Sequence, residues 1–323
     1  MKNRWLQLTT AGLMLFVTIG FIFTPNLPFS DNIIVEKAIE YAVHGLYGIL
    51  AFSLFLFAMG RYKLMFLGLS CVAALCIFLK SQSNDHLMLI ENKLAPKLEI
   101  VHFNLANIDD SYDDFYRRLI KMDADIISLQ ELTPNWDLAL RDSLAQVYPY
   151  VIKNVRIDPF GKALFSKQEL IKKQIVGENE DNYLSVNLKM GDQIISLSSN
   201  YILPPLNESS KLNAKNQLET ISKKIRSSVY PSIAIGDLNM VHWSNLIRLF
   251  TKDAKLKNSR RGFSVNGFEI PYDHMFFTED LECAHFEEIL DENSTHMGIR
   301  GTFQIKEELT EEEIRASLGY LKK

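Results

Sequence analysis

Cysteine is scarce in this chain, and where it falls excludes two kinds of chemistry. Of three cysteines, Cys71 and Cys76 sit inside an apolar run and only Cys283 lies in the polar remainder, so that remainder has no internal disulfide. No CxxC pair or Cys/His metal spacing occurs either, which removes zinc-finger and thiol-redox readings. An exported domain need not carry a disulfide, so the compartment stays open on this count. Positive charge is also short. The formal net charge is −4, and residues 86–323 hold 29 Lys plus Arg against 35 Asp plus Glu. A domain of that balance has no general electrostatic reason to coat nucleic acid, although a local basic groove is not excluded. Internal repeats and low-complexity tracts are missing, and the strings NES at 207 and NST at 293 are glycosylation sequons only in a host that glycosylates.

Long apolar runs are abundant at one end. Residues 5–23, 42–59 and 64–79 are three segments essentially free of charge. A bilayer crossing takes about 20 apolar residues, so the first two are long enough and the third is short. The first run has no small-residue cleavage site after it and two more runs follow, which argues against a cleaved signal peptide. Three crossings are expected. Lys2 and Arg4 precede the first, and Arg61 and Lys63 lie between the second and third, whereas the loop at 24–41 holds one lysine against three acids. Basic loops stay cytoplasmic, so the amino terminus is expected inside and everything after Lys80 outside. The expected divisions are an anchor at 1–85, a linker at 86–95 introduced by the polar SQSNDH at 81–86, one domain at 96–306, and a helical tail at 307–323 with acids early and lysines late.

Within 96–306, strand-like and helix-like stretches alternate. KLEIVHFNLAN (97–107) reads as a strand, and SYDDFYRRLIKM follows as a helix with Ser111 and Asp114 in capping-box spacing. ADIISLQEL (124–132) is a second strand, and Thr133 with Pro134 starts a second helix. GKALFSK, YLSVNLKM, QIISLSSNYI, SIAIGDLN, YDHMFFTE and GIRGTFQIK read as further strands, and SKLNAKNQLETISKKIRSS as a helix. SIAI and IISL are continuous rather than alternating, which predicts strands covered on both faces. The expected class is α/β with layered sheets.

The chemistry-bearing residues gather where these strands end: Asn104, Glu131, Asp237 and Asn239, Asp273 with His274, and His296 ahead of the last strand. Open α/β sheets place ligands beyond their strand ends. If the backbone stays extended, Asp237 and Asn239 point the same way and address one spot. Carboxylates, amides and a histidine are the groups that metal-assisted attack on a phosphate requires: a hard divalent cation prefers oxygen ligands, Glu131 above all, and a histidine partnered by an aspartate holds or moves a proton. Each residue also has a plainer reading. GDLN is turn composition, Glu131 is a solvated acid after a strand, and single histidines are usually satisfied polar residues. The combination carries the weight.

HFNLAN, DADIISLQELTPNW, YPYVIKN, DPFGKALFSK, SIAIGDLNMVHWS, SRRGF, IPYDHMFF and NSTHMGI, in this order across nearly all of 98–306, resemble the endonuclease/exonuclease/phosphatase family, and most of all its branch with membrane-spanning helices ahead of the domain. Deoxyribonucleases, abasic-site endonucleases, inositol-phosphate phosphatases and neutral sphingomyelinases belong to it. The resemblance implies a four-layered αββα sandwich and a magnesium site, with manganese as the alternative cation. It implies that Glu131 ligates the metal, that Asn104 holds the metal-bound phosphate or its water network, and that Asn239 bonds a phosphate oxygen. Asp237 would orient or deprotonate the attacking water, and His296, paired with Asp273, would be base or phosphate-binding group; which of the two is the base stays open. Tyr201 stands where many relatives have a histidine and offers a phenol to the phosphate. The last motif is usually SDH, and here Ser294, Thr295 and His296 replace its acid with a hydroxyl.

The reading is a metal-dependent hydrolase of phosphodiesters or phosphomonoesters, anchored in the inner (plasma) membrane with its domain on the periplasmic or extracellular side. Its partners would be a phosphate-ester substrate and the lipid bilayer, with nucleic acid not favoured. A non-catalytic member that binds a phosphorylated ligand or a partner at the membrane is the alternative, and Thr295 is the feature that speaks for it.

Overall fold

A computed structural model describes residues 2–23, 32–84, 95–177, 182–262 and 270–306. The linker expected at 86–95, apart from its last residue, and the helix expected at 307–323 lie outside the described residues.

Four helices come first: α1 (Lys2–Phe23), α2 (Ile33–Glu40), α3 (Ala42–Ala58) and α4 (Tyr62–Ser81). By length and composition α1 and α4 are each able to cross a membrane, and α2 with α3, bent by 57° at Tyr41, passes the same test as a pair. The short helix α2 occupies part of what the sequence presents as a loop. Asn32 starts it, its side chain accepting the Ile34 N–H. The helices α1, α3 and α4 pack together, yet Trp5, Phe16, Phe55 and Phe66 on their outer surfaces remain more than half exposed. Apolar surface of that extent is tolerated in lipid and not in water.

The remaining chain forms a sandwich of two six-stranded sheets. The first contains β1 (Lys97–Asn104), β2 (Ile126–Gln130), β3 (Tyr150–Asn154), β4 (Lys162–Ser166), β11 (Leu281–Leu290) and β12 (His296–Ile305), in the order β11-β12-β1-β2-β4-β3. The second contains β5 (Leu170–Val176), β6 (Tyr183–Met190), β7 (Gln193–Ser199), β8 (Ser232–Asp237), β9 (Leu256–Asn258) and β10 (Asp273–Thr278), in the order β5-β6-β7-β8-β10-β9. A core including Leu98, Ile100, Leu184, Leu197, Ile233 and Met275 fills the space between the sheets. On the outer face of the first sheet lie α5 (Tyr112–Met122) and α6 (Pro134–Ala145), where Phe115, Leu119 and Leu140 meet Phe103 and Leu129. On the outer face of the second lie α7 (Glu208–Arg226) and α8 (Asn245–Asp253), where Leu218, Ile221 and Phe250 meet Ala234 and Phe276. This is the expected four-layered αββα arrangement, and it explains the continuous apolar strands: each central strand has a sheet on one side and helices on the other.

The local signals act as the sequence predicts. Ser111 caps α5 and exchanges hydrogen bonds with Asp114, and Thr133 caps α6 with Pro134 in its first turn. The strands β5 and β11 and the helix α8 are less evident in the sequence. Six of the seven residues of β5 are partly or fully exposed, so it lacks the uninterrupted apolar run of its neighbours.

Candidate active site

The topology brings the chemistry to one end of the sandwich. β1 and β2 run parallel, as do β7 and β8, so their carboxyl ends stand side by side. β12 is antiparallel to β1 and β10 is antiparallel to β8, so the first residues of these two strands, His296 and Asp273, arrive at that same end. Asp273 lies directly opposite Asp237 in the register.

The centre of the site is an amide held between two carboxylates. Asn104 Nδ2 donates to Glu131 Oε1 at 3.0 Å and to Asp237 Oδ2 at 3.0 Å, while its Oδ1 accepts the Ala106 N–H. Tyr201 Oη donates to the same Glu131 oxygen at 3.2 Å. Gln130 ties the two sheets together just behind: its Oε1 accepts the Asp237 N–H at 2.8 Å and its Nε2 donates to Asn200 O at 2.6 Å. Gly236 makes that approach possible. Its φ of +149° is rare for an L side chain, and a Cβ there would overlap the Asn200 carbonyl and come within 2.7 Å of Gln130 Nε2.

Asp237 and Asn239 do not share an extended backbone, which corrects the expectation drawn from their spacing. The strand stops at Asp237, and Asn239 has a φ of 51°, in the left-handed region, as does Glu131 at 54°. The Asn239 N–H returns to Asp237 Oδ1 at 2.9 Å, an Asx-type turn, and its side-chain amide donates to Ile202 O at 3.0 Å. Two non-glycine residues in this conformation at the ends of β2 and β8 store strain where the candidate site residues sit.

Across from this cluster is a buried ion pair. His296 Nε2 is 2.6 Å from Asp273 Oδ2, and a second histidine, His102, places Nε2 3.7 Å from Asp273 Oδ1 while its Nδ1 meets Ser128 Oγ at 3.0 Å. Burial alone would raise Asp273, but the nearby His102 imidazole and the hydrogen bond from His296 hold it well below the usual carboxylate range. Burial alone would likewise depress His296, yet the Asp273 carboxylate outweighs it and the imidazole is raised above 6.5. Each group thus favours the charged form of the other. Asp237 is pushed up to about 7, first by its complete burial and then by the charge on Asp273. Two facing aspartates thus differ: Asp273 keeps its charge, and Asp237 takes up a proton readily.

His274, next in the chain to Asp273, faces the other way. Its Nε2 meets Met240 O at 2.7 Å, its ring stacks on Phe276, and burial depresses it to about 4, so it is a core histidine outside the site. Thr295 lies at the cleft mouth in a turn closed by Asp291, whose Oδ1 accepts the Thr295 N–H at 2.7 Å. An acid is thus near the position where the resembling motif carries one, but it is engaged in holding the turn.

The cleft over these groups has a volume of about 320 Å³ and is lined by Asp109, Asp237, Tyr272, Asp273, Thr295 and His296 among others. Among the described residues no group of three or more His, Cys, Asp or Glu side chains converges as a closed metal cage. Two carboxylates joined through an amide fit a magnesium-type ion, which keeps much of its water and takes one or two protein carboxylates. The buried Asp237, destabilised when charged, is the kind of group that a cation would relieve. Asn104 turns its NH₂ toward the carboxylates and its carbonyl toward Ala106, so in this arrangement it brackets Glu131 and Asp237.

Residues 101–296 match the profile of the Endonuclease/Exonuclease/phosphatase family. The chain belongs to this family. Its members are nucleases or phosphatases acting on phosphoester bonds, and they generally use divalent metals. Among solved structures, a family protein from Bacteroides thetaiotaomicron superposes with a TM-score of 0.54 at 14% identity, covering 66% of this chain and 99% of its own. The human Nocturnin catalytic domain with a bound sulfate anion gives 0.53 at 14%, covering 66% and 96%. Humanized D. rerio TDP2 gives 0.52 at 16%, covering 65% and 100%. At these identities the likeness is one of fold. No functionally curated protein matches the sequence.

Three contributors escape a reading of the sequence alone. His102 and Gln130 stand inside apolar strands, within HFNLAN and DADIISLQELTPNW, where the resemblance assigns them no role. Lys162 is fully buried at the start of β4, opposite Gln130 in the register, with its amine pulled down to about 7 by burial and by Arg156 and donating to Asn182 O. A lysine next to glycine in GKALFSK reads as a strand boundary, and only the register places it beside Gln130.

Proposed function

We propose that this chain is a membrane-tethered, divalent-metal-dependent hydrolase of phosphodiester or phosphomonoester bonds, with its anchor in the inner (plasma) membrane and its domain on the periplasmic or extracellular side. The observation that carries the reading is the convergence, at one cleft, of the Asn104–Glu131–Asp237 cluster with the ionised Asp273–His296 pair. Glu131 would be the principal ligand for magnesium, since both hydrogen bonds it accepts fall on Oε1, with Asp237 at hand. When bound there, the cation would supply charge neutralisation to the phosphoryl oxygens.

The remaining chemistry belongs to the side chains. His296, kept protonated by Asp273, presents a cation to a non-bridging phosphoryl oxygen and stabilises the charge that develops there. Asp237, buried and ready to accept a proton, takes it from the attacking water; the ionisation of the two groups thus favours Asp237 over His296 as the base. Tyr201 and Asn239 are neighbours at the edge of this cluster, and their phenol and amide, given now to Glu131 and Ile202 O, are the donors that a bound phosphate would recruit. The anchor is supported by the exposed apolar belt of α1, α3 and α4, and the orientation by Arg4, Arg61 and Lys63.

The test is hydrolysis of a soluble aryl phosphodiester and an aryl phosphomonoester by the full-length protein in detergent micelles. Turnover that needs magnesium or manganese and is lost in His296→Ala supports the reading. A folded protein that binds the cation yet turns over neither ester would favour the non-catalytic alternative.

A further inference from the structure

The membrane anchor is built into the wall of the catalytic cleft. Ile270 and Tyr272 line the cleft, and both also pack into the apolar cluster of the anchor helices with Ile39, Val43 and Leu46. Tyr272 Oη donates to Glu40 Oε2 at 3.2 Å. Four residues after Asn239, Trp243 is fully buried in that same cluster and donates from Nε1 to Ile39 O at 2.8 Å. A second set of contacts fixes the end of α4: Lys80 Nζ donates to Arg261 O at 2.6 Å, and Arg248 Nε to Gln82 Oε1 at 2.9 Å. Attachment at two separate helices leaves the domain little freedom to rotate on its anchor.

The loop that supplies Tyr201 to the site leads back to the same surface. Five residues on, Leu206 is 71% exposed, and just beyond it Glu208 Oε1 accepts the N–H of Ile33 at the start of α2. Ile34 on α2 is 75% exposed, and Leu212, one turn beyond Glu208 on α7, is 56% exposed. Exposed Leu206, Leu212 and Ile34 therefore form an apolar rim beside the anchor, where α2 meets the start of α7. Tyr41, at the bend into α3, is half exposed and of the type that sits at the headgroup level. Among the described residues lining the cleft none is lysine or arginine, so nothing there tracks a polyanionic strand.

From this arrangement, and resting on the hydrolase reading above, we infer that the substrate is a phosphodiester in the headgroup of a lipid in the same bilayer that holds the anchor. The rim dips into the interfacial region, α2 lies along it, and the cleft wall made by Ile270 and Tyr272 stands next to the headgroups. The bond cleaved is a P–O ester bond of the headgroup: water adds its oxygen to phosphorus, the leaving alcohol departs with a proton, and no redox partner is involved.

The experiment uses the full-length protein in vesicles of phosphatidylcholine, phosphatidylethanolamine and phosphatidylglycerol with magnesium. Lipid turnover is compared with turnover of glycerophosphocholine, a soluble aryl phosphodiester and a single-stranded oligonucleotide. The expected result is hydrolysis of at least one bilayer lipid at a rate at least about tenfold above its water-soluble headgroup analogue, as effective concentration at the surface requires. Ile34→Asp combined with Leu206→Asp should lower lipid turnover roughly tenfold by removing apolar contact with the interfacial region, and leave aryl diester turnover within about twofold. Hydrolysis of the aryl diester without any bilayer lipid, or preference for the oligonucleotide, overturns the inference while the hydrolase reading stands. Absence of turnover on every substrate overturns both.

Discussion

Replacing Asp273 by Asn tests the Asp273–His296 pair that faces the central cluster. The side chain keeps its shape and loses its charge, and two histidines feel the loss: His296 at 2.6 Å and His102 at 3.7 Å. Two unit charges about 4 Å apart attract by roughly 4 kcal/mol at an effective dielectric of about 20, equivalent to about 3 pH units on the imidazole. That is a ceiling, because His102 shares the carboxylate and Glu288 also supports His296. A downward move in His296 is expected, since burial then outweighs what Glu288 still supplies. In the wild type, the stability contributed by protonated His296 is fully present below its ordinary value of 6.5 and is lost as pH rises through the raised folded value. The contribution of Asp273 is present above its ordinary 3.8 and is lost as pH falls below it. Both windows collapse in Asp273→Asn. The assays are a pH titration of the His296 ring by NMR and a pH–rate profile on a soluble phosphodiester. The alkaline limb of the profile should move to lower pH with it, and the rate at pH 7 should fall by about a hundredfold, within the range of a proton-handling residue. An alkaline limb that stays in place, or a His296 ring whose titration is unchanged, would refute the reasoning that Asp273 sets its charge.

Glu131→Gln keeps the hydrogen bonds from Asn104 and Tyr201 in shape but removes the charge that holds the cation, so activity should drop by roughly two orders of magnitude or more. The thermal shift produced by magnesium should vanish with it; a retained shift would take Glu131 out of the metal site. Gly236→Ala forces a Cβ onto the Asn200 carbonyl at a φ of +149°, and a loss of at least about 2 kcal/mol is expected in a thermal or denaturant melt. A melt within 0.5 kcal/mol of wild type, roughly the scatter of a neutral surface change, would mean the β8 end relaxes freely. Thr295→Asp places a carboxylate at the cleft mouth and should tighten apparent magnesium affinity by about tenfold, a typical size for one added charge in a partly wet site. Loss of activity in an otherwise active protein would show instead that a further acid beside Asp237 and Asp273 is repulsive.

Local signals decided much of this protein. The apolar runs, the caps at Ser111 and Thr133 and the uninterrupted strands IISL and SIAI are short-range features, and each produced the element that it predicts. The strand-end residues Asn104, Glu131, Asp237, Asp273 and His296 were legible because β-strands of these lengths end where polar residues replace apolar ones. Distances among them were not legible. Asp273 meets Asp237 because β10 pairs antiparallel with β8, and it meets His102 and His296 because a second sheet is stacked across the core. His102 is indistinguishable in sequence from any polar residue in a buried strand; only the stacking of the two sheets turns it toward a carboxylate 171 positions away. Register likewise placed Lys162 beside Gln130, and the left-handed turn at Asn239 overrode the alternation that its spacing suggests. The docking of the anchor went furthest beyond the sequence. Residues 33–40 look like a connecting loop, because an eight-residue segment has too few turns to show a helical period, and helices of that length owe their stability to tertiary contacts. Those contacts, from Trp243 to Ile39 and from Tyr272 to Glu40, join residues more than 200 positions apart. A side chain's partner at that separation is chosen by how whole layers pack, and no local pattern encodes it.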